Sequence, residues 1–193
     1  LVTGIRHKGI WHLLKKSMMV FPNSTDNAFH VDGDVEIVEA TYEHAEYLQN
    51  HLRSPDVREC MIHGATPWRA LRYPIMRKDA VTFTALHKNT PACMFGVVPI
   101  YDDSEMKTGT IWLLGTDEID KHPRKFLRAS KNMLQYFCDR WDVVENVVPI
   151  DHIATLQWLN WLGFLFCDEP TTVNGFECVR FVRCAPHVEM PFQ

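Results

Sequence analysis

Two groups of residues in this sequence have the types and spacing for chemistry. Lys121, Arg124, Lys125, Arg128 and Lys131 crowd the first half of one amphipathic segment. A helix N-terminus carries partial positive charge, so each cation there costs roughly 0.3–1 kcal/mol unless an anion offsets it. A phosphate or pyrophosphate would do so, taking the free N–H groups and the side-chain cations together. The competing reading is a solvated basic face, balanced by Asp117, Glu118 and Asp120. The second group is Asp151-His152, directly after an apolar run. An imidazole titrates near neutrality, so His152 leads as a general base, with Asp151, Glu39 and Asp117 behind it. The alternative for this pair is a helix start, with Asp151 capping and His152 solvated.

The elements that must hold these groups follow from periodicity. Ile111-Trp112-Leu113-Leu114 is an apolar strand running into Gly115-Thr116 and a short polar turn. A helix then starts near Pro123, which the first turn tolerates. Its apolar face is Phe126, Met133, Leu134, Phe137 and Trp141. DVVENVVPI (142–150) fits a buried strand, and His152 to Leu162 a helix with Gly163 at C′. Upstream, VEIVEA (35–40) alternates as a strand, and Thr41 caps a helix with His44 at the capping-box position. That helix buries Ala45, Leu48 and Leu52, and Ser54-Pro55 starts another that ends at Gly64. TPWRALRYPIMRKDA gives a short helix and loop. Val81–Leu86 and Ala92–Ile100 form a hairpin, Phe164-Leu165-Phe166 starts a strand, and Asn174-Gly175 turns a final hairpin into ECVRFVR.

The chain has 193 residues, 46% of them hydrophobic, enough for one domain with a full core. Its net charge of −4 argues against general nucleic-acid binding. No apolar run reaches the roughly 18 residues needed to span a bilayer. The six cysteines form no C-x-x-C pair and are expected as reduced, buried thiols; Cys138 reads as core. No metal centre is expected: H-E-x-x-H is absent, and His44-Ala45-Glu46 lacks a following P-C-x-x-C. Residues 1–30 are expected as a loosely held tail, partly non-native, before a domain at 31–193.

The element order, and the ending Trp158-Leu159-Asn160-Trp161-Leu162-Gly163-Phe164, resemble the GNAT superfamily of acyl-CoA N-acyltransferases over residues 35 to about 183. The block WLLGTDEI…FLRASKNML…WLNWLGF also resembles a bacteriophage subgroup that includes internal virion proteins of short-tailed phages. The resemblance implies an α/β (mixed α+β) fold: one mixed sheet with splayed central strands and helices on both faces. It implies acetyl-CoA, or a related acyl-CoA, lying in the splay. Leu113, Leu114, Gly115 and Thr116 would face the pantetheine or thioester, with Arg124, Lys125 and Phe126 near the pyrophosphate. Transfer would go by direct attack of an amine on a small molecule or protein, with Asp151 and His152 on the catalytic side. The family's glycine-rich phosphate loop is here GTDEIDKHPRKF, acidic and glycine-poor, so side-chain cations would take over its role. Leu159 stands where many members carry the tyrosine that protonates the leaving thiolate. The phage subgroup implies a host-cytoplasmic protein, packaged in the virion or meeting a host partner. A catalytically inactive relative that kept the fold is the alternative.

Overall fold

The computed structural model describes residues 28–101 and 105–188. Alternation along the strands sorts the core into two layers. In β4 (Thr90–Ile100), Cys93, Phe95 and Val97 join one hydrophobic cluster and Met94 the other. Met94 packs with Ala45, Leu48, Cys60, Leu71 and Leu114, the layer of α1 (Tyr42–Leu48), α2 (Ser54–Ile62) and α3 (Pro67–Met76). The opposite layer gathers Met133, Leu134 and Phe137 from α5 (Pro123–Cys138) and Leu159 from α6 (Ile153–Trp161).

Between these layers lies one sheet. Its strands are β1 (Ala28–Asp32), β2 (Val35–Glu39), β3 (Val81–His87), β4, β5 (Thr108–Gly115), β6 (Val143–Pro149), β7 (Leu165–Phe166), β8 (Thr171–Val173) and β9 (Phe176–Cys184). The order is β1-β2-β3-β4-β5-β6-β9-β7, with β8 also on β9. Every pairing is antiparallel except β5 with β6. A parallel pair needs a crossover, and α5 supplies it. The mixed sheet with helices on both faces is the architecture expected from the sequence.

The parallel pair is short. Its register covers Thr108↔Val143, Gly109↔Val144 and Thr110↔Glu145, then stops. The start of the pair is fastened, because Lys107 N donates to the Asp142 carboxylate at 2.8 Å and Asp142 N to Lys107 O at 2.9 Å. Beyond Thr110 the strands part, while β5 stays paired with β4 as far as Gly115. The sheet therefore forks at its middle.

Three local features differ from expectation. β1 adds a strand at residues 28–32, overlapping the end of the expected tail; residues 1–27 of that tail lie outside the described residues. The polar turn after β5 contains a helical turn, α4 (Glu118–Lys121), because buried Ile119 tucks under Gly115. A Cβ at Gly115 would lie 2.1 Å from Ile119 Cδ1 and 3.2 Å from Cys93 Cβ, so glycine is required there by close approach. The first helix stops at Leu48, leaving Leu52 half-buried outside it. The capping box is present as read: Thr41 Oγ1 accepts from His44 N, and His44 Nδ1 accepts from Thr41 N.

Candidate functional site

The fork exposes one edge of β5, and hydrogen bonding fixes which backbone groups face it. Thr116 N donates to Ala92 O at 2.8 Å, so Thr116 points toward β4. Successive residues of a strand point their polar groups to opposite edges, so Gly115, Leu113 and Ile111 point toward β6. Two of these three carbonyls are taken. Arg53 N donates to Gly115 O at 2.9 Å, and Asn146 Nδ2 donates to Ile111 O at 2.8 Å. Asn146 Oδ1 also accepts from Val147 N at 2.8 Å, so one amide side chain sits at the crotch of the fork. Leu113 lies between these two bridges, beyond the last β5–β6 pair, with its N–H and C=O toward the gap.

A cavity of about 310 Å³ opens at the fork, the lower end of the range for small-molecule sites. Ile111, Leu113, Asn146 and Val148 line its strand side, and Lys125, Phe126, His152 and Trp158 its helix side. Phe126 lies against Trp158 with ring centroids 5.2 Å apart. The buried Trp158 indole N–H has no partner among the described residues. An unmade hydrogen bond there costs about 1–3 kcal/mol, which a ligand carbonyl or water would recover. Most of the wall is apolar, with charged and polar side chains at its margins, and Leu159, where an acid was absent by sequence, is buried in it.

His152 is the N-cap residue of α6 and makes no capping bond. Its Nδ1 lies 3.8 Å from Glu59 Oε2, and both ring nitrogens lie 3.2 Å from Thr155 Oγ1. Glu59 and His152 line the cavity and also a second cleft with Ser54, Pro55, Arg58, Pro149 and Asp151. The imidazole thus stands between a gap and an open cleft. Asp151 is otherwise engaged: Arg58 donates two hydrogen bonds to it, at 2.9 and 2.8 Å. The guanidinium holds the Asp151 carboxyl below the usual carboxylate range, which makes it a weak proton acceptor near neutrality.

The residues singled out by sequence are thus partly gathered. Leu113, Lys125, Phe126 and His152 share the cavity. Leu114 packs on the opposite face of the sheet with Met94 and Leu71. Gly115 and Thr116 are buried and hold the chain turn, since Thr116 Oγ1 donates to Ala92 O and accepts from Glu118 N. Arg124 is exposed at the start of α5. Glu39 ends β2 at an exposed position. The acids of the turn have partners of their own: Asp120 with Arg53, and Glu118 with Lys121 and His87.

Sequence reasoning missed Asn146, Glu59 and the pair Arg53–Asp56. Asn146 interrupts an otherwise apolar strand, and that interruption was the available signal. Arg53 donates to Asp56 at 2.6 Å and to Asp120 at 3.1 Å, tying the start of α2 to α4. Asp56 is buried; burial pushes its carboxyl up, and Arg53 counters this. Replacing Arg53 by alanine is expected to destabilise the fold by about 2–3 kcal/mol, read by urea denaturation. That is below the value for a fully buried pair because the guanidinium is partly exposed. No loss of stability would show that the clamp is not structural.

Placement withdraws four of the six cysteines from solvent. Cys60, Cys93, Cys138 and Cys178 are buried, and burial pushes the Cys60 and Cys93 thiols up to about 12. Brief alkylation of the native protein is expected to label Cys167 and Cys184 first, with the other four labelled only after unfolding. Rapid labelling of Cys93, on the cavity wall, would contradict this.

No family model matches the sequence, and neither does any curated protein. Solved structures do match. RimL, the ribosomal L7/L12 alpha-N-protein acetyltransferase in complex with coenzyme A, superposes with a TM-score of 0.59 at 13% identity over 81% of this chain and 97% of that one. A GNAT-family acetyltransferase from Bacillus anthracis gives 0.60 at 9% identity, over 82% and 98%. The microcin C7 self-immunity acetyltransferase MccE, in complex with acetyl-CoA and AMP, gives 0.59 at 12% identity, over 83% and 97%. The chain has the fold of these acetyltransferases. Among the described residues no helix is long and apolar enough to cross a membrane.

Proposed function

We propose that this protein is an acetyl-CoA-dependent N-acyltransferase whose site is the fork between β5 and β6. The observation that carries the reading is the Leu113 backbone, set between two bridged carbonyls on the edge of an apolar cavity. Structural neighbours with this fold are complexes with coenzyme A and with acetyl-CoA, which supports the choice of ligand. The cavity suits the acyl-pantetheine end of such a ligand. Its apolar wall suits a pantetheine arm, and the unpartnered Trp158 N–H suits an amide carbonyl. Acetyl-CoA, when bound, supplies an acyl group activated as a thioester.

The chain's own residues do the rest. Leu113 N–H is a fixed donor for a carbonyl oxygen placed in the gap. Lys125, half-buried, and Arg124, exposed, stand in the first turn of α5, where backbone N–H groups are also free. They would hold a pyrophosphate that the α4 turn, with no glycine-rich nest, cannot cradle. His152 would take the proton of an amine entering from the second cleft, with Glu59 stabilising the imidazolium. Holding the two reactants in register supplies further rate.

The acceptor is an amine of a small molecule or a protein. The phage setting, with a virion or host partner, rests on the sequence resemblance alone. Leu159 at the acid position favours one rival, a protein that binds acyl-CoA without turnover. Release of free thiol from acetyl-CoA with a panel of amines and peptide N-termini separates the two. Amine-dependent release supports the transferase; binding without release across the panel supports the rival.

A further inference from the structure

The turn that replaces the phosphate loop carries a second constellation. His87 ends β3, Glu118 opens α4, and His122 is the N-cap residue of α5. The chain separates His87 from Glu118 by 31 positions, so no sequence spacing announces the group. One ligand atom from each of the three residues lies within 4.8 Å of the others. His87 Nδ1 is 3.1 Å from Glu118 Oε2, and His122 Nε2 is 3.9 Å from the same oxygen. The two imidazole rings sit with centroids 4.4 Å apart. All three residues are half-buried and line the cavity.

We propose that His87, Glu118 and His122 form a binding site for a divalent metal ion of the zinc type. Two nitrogens and one oxygen are a donor set that suits zinc and its late first-row neighbours better than magnesium or calcium. Ligands at roughly 2.1 Å in a tetrahedron stand roughly 3.4 Å apart, so the observed separations need only small side-chain adjustments. The spacing of Glu118 and His122, four residues apart along the chain, puts both on one side of the α4 turn. The outer shell is also present. Lys121 Nζ holds the other carboxylate oxygen, Oε1, at 2.6 Å, leaving Oε2 for the ion. Three protein ligands leave at least one coordination position open on the cavity wall. An ion here would also add positive charge beside Arg124 and Lys125. The site does not depend on the acyl-CoA reading.

Zinc titrated into the full chain by calorimetry is expected to show one equivalent that magnesium and calcium at equal concentration do not displace. Cobalt(II) in its place is expected to give a ligand-field spectrum without a thiolate charge-transfer band, since no cysteine belongs to the set. His122→Gln and His87→Gln should each weaken binding by about 10–100-fold or more while thermal melts in EDTA stay those of the parent. His122 is the safer of the two, being the more exposed. Three results would overturn the site: no zinc equivalent, an equivalent unchanged in both variants, or a cobalt spectrum dominated by thiolate. Loss of zinc binding with coenzyme A binding intact, or the reverse, keeps this inference and the transferase reading separately testable.

Discussion

Replacing His152 by alanine is expected to lower the turnover rate by about 10²–10⁴-fold while coenzyme A still binds. Thiol release in the presence of a working amine measures it. An amine is protonated at neutral pH and cannot attack until it loses that proton. In the proposed reaction His152 takes that proton; it lies on the wall shared by the fork cavity and the adjoining cleft. It is mostly buried, and Thr155 and Glu59 approach its ring. Glu59→Gln removes the nearby negative charge and should give a smaller loss. The opposite ranking, with His152→Ala nearly silent and Glu59→Gln severe, would move the base to Glu59. Asp151→Asn should act through stability, because its carboxylate is committed to Arg58.

Replacing Leu113 by proline is expected to cost about 10²–10³-fold in turnover, the range for loss of one preorganised donor in acyl transfer. Proline removes the backbone N–H, fixes φ, and also replaces the Leu113 side chain that packs on the core and lines the cavity. The N–H points to the gap, so the ladder with β4 keeps its bonds, and proline is tolerated where a strand edge lies open. Thermal melting of the variant checks that the strand survives. Leu113→Ala is the companion: it keeps the N–H and should retain most of the activity. Equal losses in the two variants would mean that side-chain packing, rather than the N–H, is what matters at Leu113.

Much of this arrangement was legible in the sequence, and the reason is periodicity. The β5–α5–β6–α6 run announced itself through Ile111–Leu114, the apolar face of α5 and the apolar 142–150 stretch, because each buries one pattern against one layer. Asn174-Gly175 and Gly163 marked turns that need positive φ, at 47°, 85° and 81°. What could not be read were contacts between distant segments. Glu59 meets His152 only because α2 packs over the open end of the fork. Arg53 meets Gly115 and Asp120 for the same reason. The family resemblance places Leu113 to Thr116 together at the gap. Alternation sends Leu114 to the other face. The α4 helical turn was hidden because its single buried anchor, Ile119, carries no period.

The proposed function stands on binding of an acyl-CoA at the fork, through the Leu113 edge and the start of α5. Calorimetric titration of coenzyme A into the parent protein and into Arg124→Ala/Lys125→Ala tests it most directly. One-to-one binding to the parent is expected. Affinity is expected to fall by about tenfold or more in the variant, since two charge-assisted contacts of roughly 1.5–3 kcal/mol are at stake. No heat of binding at millimolar coenzyme A, or equal affinity in the two proteins, would contradict it.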